Sequence, residues 1–467
     1  MKKENAIIVG GGLVGCLLAV YLSKRGYRVD VFDRNPDPRG AQAKPGRAIN
    51  LTICDRGFKA LDAVNAGDIV RRISVPAYGR MIHSLNGDLS YQPYGNNGEA
   101  IYSVLRTDLG NVLLEFAEQH PNVEFHFNEK CVSLELEPLK VEFEEIGSGR
   151  SRRWEAGRVF GADGTFSAVR TLMQRLSRFN YSQEYLDQGY KELPLPASSP
   201  VAWAGEKKVL HMWPRGRYVL LGFPNTDGSF TCSLHMPYEG TPSYSAMKTK
   251  TDVREFFRAE FPDVVDEIPN LAEEFFVHPP NPMLTIRCAP WTFEGKVALI
   301  GDAAHVLFPY YGQGANAGFE DCELLTKCLE KHDDNWQAAF QDYEQARKPN
   351  MDAIAAMCAE HYVELRDLVG DSQFLLRKSV ERKVNQMYPE KYVPLYSMIA
   401  FSYMPYCEAL RRDQEQRRII DQLMTLDDLP NKIENGEIEE FIHRLMSDAT
   451  SIGVESVAAR EAKSFAA

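Results

Sequence analysis

Six residues, Gly10-Gly11-Gly12-Leu13-Val14-Gly15, constrain this chain more than any other feature. They follow a short apolar run, residues 6–9, and lead into residues 16–24, whose apolar spacing is helical. Gly26 ends that helix, and residues 28–33 form a further strand closing on Asp33. Strand, glycine turn, helix and strand make a βαβ unit, the building block of a parallel sheet with helices on its faces. Within G-x-G-x-x-G, Gly10 permits the tight turn, Gly12 lets backbone approach a pyrophosphate, and Gly15 allows close helix–strand packing. The helix start offers free N–H groups and a positive dipole end to phosphates. Asp33 lies 21 residues after Gly12, where a carboxylate accepts ribose hydroxyls.

A second signal decides which dinucleotide is meant. Ala298-Leu299-Ile300-Gly301-Asp302-Ala303-Ala304-His305 reads as a strand ending in Gly-Asp, followed by Pro309 and by Gly312-Gln313-Gly314-Ala315-Asn316. An acid and a glycine-lined helix start thus stand far from the first fingerprint. FAD is long enough to touch both, with adenosine at the first and the ribityl chain and ring at the second. A hydride-transferring NAD enzyme would need a base or metal in a substrate domain, and none is evident. Gly161-Ala162-Asp163-Gly164, with Ser167 and Arg170, is another strand-to-turn acid, and alone it is a common turn.

At 467 residues the chain exceeds one hydrophobic core. From about residue 181 to 280 short strand-like pieces such as 218–223 and 230–236 alternate with turns, and beyond Gly318 nearly everything looks helical. The expected fold is α/β: a Rossmann-like FAD-binding domain, an inserted, mostly antiparallel β-sheet substrate domain and a C-terminal helical unit. The expected boundaries are 1–73, 100–180 and 285–345 for the FAD-binding domain, 74–99 and 181–284 for the sheet domain, and 346–467 for the helical unit.

A net charge of −12 argues against nucleic acid and anionic lipid as partners. Nine cysteines without a C-x-x-C pair suit a reducing compartment such as the cytoplasm, with Cys16, Cys232 and Cys322 as small buried residues. His126, His211 and His305 stand alone in the sequence, so no metal is expected. Residues 6–22 are uncharged behind Lys2 and Lys3, as in a leader peptide, but four glycines make a buried strand, turn and helix the better reading. Residues 449–467 are too polar for an anchor.

The three segments GGGLVG, GADGTFSAVR and LIGDAAH…GQGANAGFED resemble the single-component flavoprotein aromatic hydroxylases. More narrowly the chain resembles their kynurenine-hydroxylating branch, over about residues 5–410. The stretches that carry this are Gly46-Arg47-Ala48-Ile49-Asn50-Leu51, Gly79-Arg80-Met81-Ile82-His83-Ser84, Gln92-Pro93-Tyr94-Gly95, Gln188-Gly189-Tyr190-Lys191-Glu192-Leu193, His211-Met212-Trp213-Pro214 and Tyr396-Ser397-Met398. The resemblance implies FAD contacts at Val14, Phe32, Asp33, Arg34, Asn35, Thr52, Arg106, Cys131, Asp163, Asp302, Ala315 and Asn316, with the helix opening near Gly314 aimed at the flavin ring. It also implies L-kynurenine as substrate, its carboxylate held by Arg80, Tyr94 and Tyr396.

This sequence departs from the family at His361, where relatives carry Asn. A ring nitrogen still donates, and a protonated ring would pair with the carboxylate. The implied reaction has NADPH reduce FAD, O2 add as a C4a-hydroperoxyflavin, and its terminal oxygen pass to the ring carbon ortho to the amino group. That amino group already activates the carbon, so no protein base is required, and none is evident. Residues 396–410 read as a helix packed over the active site. Two alternatives stay open: a hydroxylase of another aromatic acid, and a non-catalytic flavin-binding redox regulator.

Overall fold

The computed structural model describes residues 4–40, 49–95, 98–199, 208–364 and 372–447. Gly46, Arg47 and Ala48 of the resembling stretches, and the tail 449–467, lie outside the described residues.

A six-stranded sheet forms around the first strand, Asn5–Val9, which is buried along its apolar length. It pairs in parallel with Arg28–Asp33 on one side and Arg158–Gly161 on the other. Val123–Phe127 extends the sheet beyond Arg28–Asp33, and Val297–Leu299 pairs in parallel with Arg158–Gly161. Thr292–Phe293 closes that edge as an antiparallel strand. Strands covered on both faces read as continuous apolar runs, which is why Ala6, Ile7, Ile8, Val159 and Phe160 are wholly buried. The helix Leu13–Lys24 starts directly after Gly12, earlier than its apolar spacing predicts.

The second large sheet has eight strands, in the order His305–Val306, Asn281–Ala289, Asn180–Leu195, Phe230–Pro237, Val219–Pro224, Leu210–Pro214, Gly79–His83, Leu89–Pro93. All its pairings are antiparallel except Leu210–Pro214 with Gly79–His83, matching the expected mostly antiparallel sheet. Side chains alternate across a strand. One set, including Trp213, Leu220, Cys232 and Leu234, packs under the helices Lys250–Glu260 and Leu271–Val277. The opposite face carries Arg80, Met212 and Leu221 and meets the aromatic residues Tyr94, Tyr396 and Phe401.

Two long helices follow, Gly314–Lys331 and Trp336–Val363. Residues 396–410 differ from the single helix expected of them. A short helix, Leu395–Ala400, ends before Pro405, and a new one, Tyr406–Met424, begins after it. Pro405 has no N–H to continue the first ladder but suits the entry to the second. No helix among the described residues is long and apolar enough to cross a membrane. All nine cysteines are unpaired, and only Cys407 is exposed.

Candidate active site

The glycine turn is built as its chemistry requires. Gly10 has φ +106°, and a β-carbon there would meet the Ala162 carbonyl oxygen at 2.4 Å. A β-carbon on Gly15 would fall 1.9 Å from the Gly10 carbonyl oxygen, whereas one on Gly12 would meet nothing within 4 Å. Helix and strand therefore touch at Gly15, and open space stands before Gly12. Asp33 accepts from the Gly11 N–H at 2.8 Å, and from the Asn35 backbone and side chain at 2.7 and 3.0 Å. Each carboxylate oxygen keeps acceptor capacity beyond these bonds.

The other two acids stand at the ends of neighbouring strands. Asp163 takes hydrogen bonds from Ser167 Oγ at 2.5 Å and from the Ala168 and Val169 N–H groups at 2.6 and 3.2 Å. Burial nevertheless holds its carboxyl above the ordinary value. The Asp302 carboxylate accepts no hydrogen bond from a described residue, and burial raises it too, against the pull of His305, Arg106 and Arg170. Arg170 ties the two turns together by donating to the Ala303 and Thr165 carbonyls at 2.9 and 2.5 Å. Cys131 sits by Asp163, and burial together with that carboxylate pushes its thiol up to about 12.

The helix Gly314–Lys331 begins in the open, for a β-carbon on Gly314 would meet nothing within 4 Å. The N–H groups of Gly314, Ala315 and Asn316 lie in its first turn, where no carbonyl of the helix can take them. The Asn316 side chain is fully used within the protein. It accepts from the Cys54 N–H at 3.0 Å and donates to the Thr52 and Gly312 carbonyls at 2.8 Å each. Only its backbone is left for a ligand. Val14 is similar, its side chain wedged between Gly301 and Gly318. The Phe32 ring stacks on Phe143 at 3.9 Å and on His126 at 4.4 Å. Arg34 and Arg106 are exposed, and neither has an ion pair with a described residue. Open backbone donors at two helix starts, a bare carboxylate at Asp302 and an unpaired Arg106 fit a flavin dinucleotide.

The four residues expected at the substrate come together. The Arg80 guanidinium lies 5.2 Å from the Tyr94 ring centre and 4.9 Å from that of Tyr396, and those rings stack at 5.3 Å. Burial alone would lower the guanidinium, but the neighbouring Tyr94 and Tyr396 hold it above the ordinary arginine value. Tyr311 links this group to the helix start, standing 6.1 Å from Tyr396 and 4.7 Å from His361, ring to ring. His361 Nδ1 is 3.1 Å from Glu364 Oε2. Burial first, and then the Arg80 charge, hold the ring below its ordinary pKa, although Glu364 pulls the other way. The neutral form of the ring is thereby favoured over the protonated one.

A family model for the FAD binding domain matches residues 3–357. Kynurenine 3-monooxygenase of Flavobacterium johnsoniae is 44% identical over 441 residues, covering 94% of this chain and 98% of that protein. The enzyme of the same name from Flavobacterium psychrophilum is 43% identical over 96% of this chain and 99% of its own. The chain belongs to the kynurenine 3-monooxygenase family. A tetrameric form of 2-methyl-3-hydroxypyridine-5-carboxylic acid oxygenase shares the fold, with a TM-score of 0.65 and 21% identity over 81% of this chain and 96% of that one.

As a kynurenine 3-monooxygenase family member, the chain carries side chains at this site that motif reading did not single out. The Asp321 carboxylate, in the GFED run, accepts from the Gly301 N–H at 3.0 Å, from His305 at 2.7 Å and from Arg347 at 2.6 Å. Glu320 joins Arg347 to Arg56, both at 2.6 Å, and Arg56 donates to the Ser402 and Met404 carbonyls at 3.3 and 2.7 Å. Tyr406 donates to Gln313 at 2.8 Å. The chain between the two C-terminal helices is thereby tied to the glycine-lined helix start. The histidines that stand alone in the sequence are paired in space: His305 with Asp321, His126 with Asp30 at 3.2 Å, and His211 with His83 at 2.8 Å. Asp30, Glu124 and His126 come within metal-ligand spacing. Arg28 already lies 3.3 Å from Asp30 and 3.6 Å from Glu124.

Proposed function

We propose that this chain is an FAD-dependent monooxygenase that uses NADPH and O2 to convert L-kynurenine to 3-hydroxy-L-kynurenine. The observation that carries the reading is Arg80 set against the stacked Tyr94 and Tyr396 rings, with Tyr396 in ring contact with Tyr311 in the turn that opens the Gly314 helix. FAD, when bound, supplies the activation of O2. Asp33 and the turn at Gly10 and Gly12 would hold its adenosine and pyrophosphate end, while Asp163, Asp302 and Arg106 would line the middle. The free N–H groups of Gly314 and Ala315 would lie toward its ring and would favour negative charge there.

Arg80 holds the substrate carboxylate as a two-pronged donor, and Tyr94 and Tyr396 turn their hydroxyl protons to the same group. With Nδ1–H committed to Glu364, the other nitrogen of His361 is an acceptor, suited to the α-ammonium of the amino acid rather than to its carboxylate. The protein's work is then to position the ring and to exclude water. The strand membership of the two large sheets supports the division into FAD-binding segments 1–73, 100–180 and 285–345, a sheet domain of 74–99 and 181–284, and a helical unit from 346. The nine unpaired cysteines support a cytoplasmic setting.

The test is NADPH oxidation by the flavin-loaded protein with and without L-kynurenine, with the product identified by mass. Stimulated oxidation and a product heavier by one oxygen are expected. Arg80→Ala should raise the kynurenine KM about 100-fold, as loss of a charged two-pronged contact does. Stimulation that yields only peroxide points instead to another aromatic acid as substrate, and no stimulation at all overturns the reading.

A further inference from the structure

The sheet face that carries Arg80 continues to a polar group that the contacts above leave unused. The strand registers set Ile82, Met212, Leu221 and Ser233 side by side across four strands. Arg80, two residues from Ile82, and His235, two residues from Ser233, therefore point to the same side of the sheet. His235 lines a small, partly open cavity together with Gln188, Arg217, Tyr218, Val219, Tyr310 and Tyr362. Tyr310 and Tyr362 adjoin Tyr311 and His361 in the chain, so the cavity borders the cluster that receives the amino-acid end of the substrate.

His235 is only 6% exposed. Its Nε2 lies 3.0 Å from Ser233 Oγ, while its Nδ1 is buried without a partner among the described residues. Three other polar groups of the cavity are engaged. Gln188 donates to the Arg217 carbonyl at 2.9 Å, Tyr362 to Asp187 at 2.6 Å, and Tyr310 to the Met283 sulfur at 3.6 Å. Burial pushes the His235 ring down to about 4, so it enters neutral and offers one bare nitrogen. A buried polar atom without a partner is costly unless something arrives to satisfy it.

We infer that His235 reads the aryl amino group of the substrate, its Nδ1 accepting an aniline N–H while Ser233 takes Nε2–H and so fixes the tautomer. The inference rests on the kynurenine reading. An ortho-amino aryl ketone turns one N–H to its own ketone oxygen and leaves the other seeking an acceptor. Donation to a neutral nitrogen pushes electron density from the amino group into the ring and favours attack at the adjacent carbon, the one to be hydroxylated.

The test is equilibrium titration of the flavin-loaded protein with L-kynurenine and with its des-amino analogue, 3-benzoylalanine. His235→Phe should weaken kynurenine about five- to tenfold, the size of one hydrogen bond, and leave the des-amino ligand within about twofold. His235→Asn, which places an amide oxygen near the Nδ1 position, should restore most of that loss. His235→Leu replaces the Phe variant if that variant loses its flavin. Equal changes for both ligands, or unchanged kynurenine affinity in the apolar variant, overturn the inference while the substrate reading stands. A wild-type protein that does not bind kynurenine overturns both.

Discussion

His361 donates to Glu364 across one turn of its helix, and burial keeps the ring neutral. The charged and titratable groups that face it are Arg80, Glu364, Lys378 and Tyr311. As pH falls through the lowered His361 pKa, the ring gains a positive charge beside Arg80 and beside the incoming ammonium. Kynurenine affinity should therefore be flat above about pH 6.5 and fall below it. His361→Asn should remove that acid limb, as a titration of the dissociation constant between about pH 5 and 8 would show. An unchanged limb in the Asn variant would place the titrating group elsewhere. The clustering of Arg80, Tyr94 and Tyr396 was legible in the sequence because each sits in a stretch that resembles the family. Glu364 and His235 were not. Their meaning depends on a neighbour three residues along a helix and on a cavity that closes only when distant strands meet.

The first βαβ element is the part of the fold most legible in the sequence, since its strand, turn and helix are fixed by contacts within 33 residues. Its narrowest tolerance is at Gly15. A methyl group there would fall 1.9 Å from backbone, and no side-chain movement can relieve the clash. Gly15→Ala should force the helix off the strand, with flavin content lost at purification and stability lowered by about 3 kcal/mol or more. Flavin-to-protein absorbance and a urea melt measure both, and a variant that keeps its flavin would contradict the packing role. The break at Pro405 was less legible. Apolar residues run through it at helical spacing, and what holds the turn open is Arg56, nearly 350 positions earlier, donating to Ser402 and Met404.

Across the whole molecule, buried neutral histidines set the response to acid. Burial lowers His211 to about 3, with the charge of His83 acting in the same direction, and burial lowers His235 to about 4. In the unfolded chain both titrate near 6.5, so below that pH the unfolded state binds more protons than the native one. Stability is then lost as pH falls, by about 1.4 kcal/mol per pH unit for each histidine, until the folded values are reached. The raised carboxyls of Asp163, Asp302 and Asp413 act in the opposite sense. The urea midpoint should be lower at about pH 5 than at about pH 7, and an equal or higher midpoint would mean that the carboxyls dominate. The same long-range organisation has a consequence in time. The strand Arg158–Gly161 has one neighbour made about 150 residues before it and another, Val297–Leu299, made about 140 residues after it. While the ribosome is delivering the stretch between them, that strand presents an unpaired edge to the cell. Asp302 emerges directly behind the missing neighbour, so the sheet closes and the third of the strand-end carboxylates proposed for the flavin arrives at nearly the same moment of synthesis.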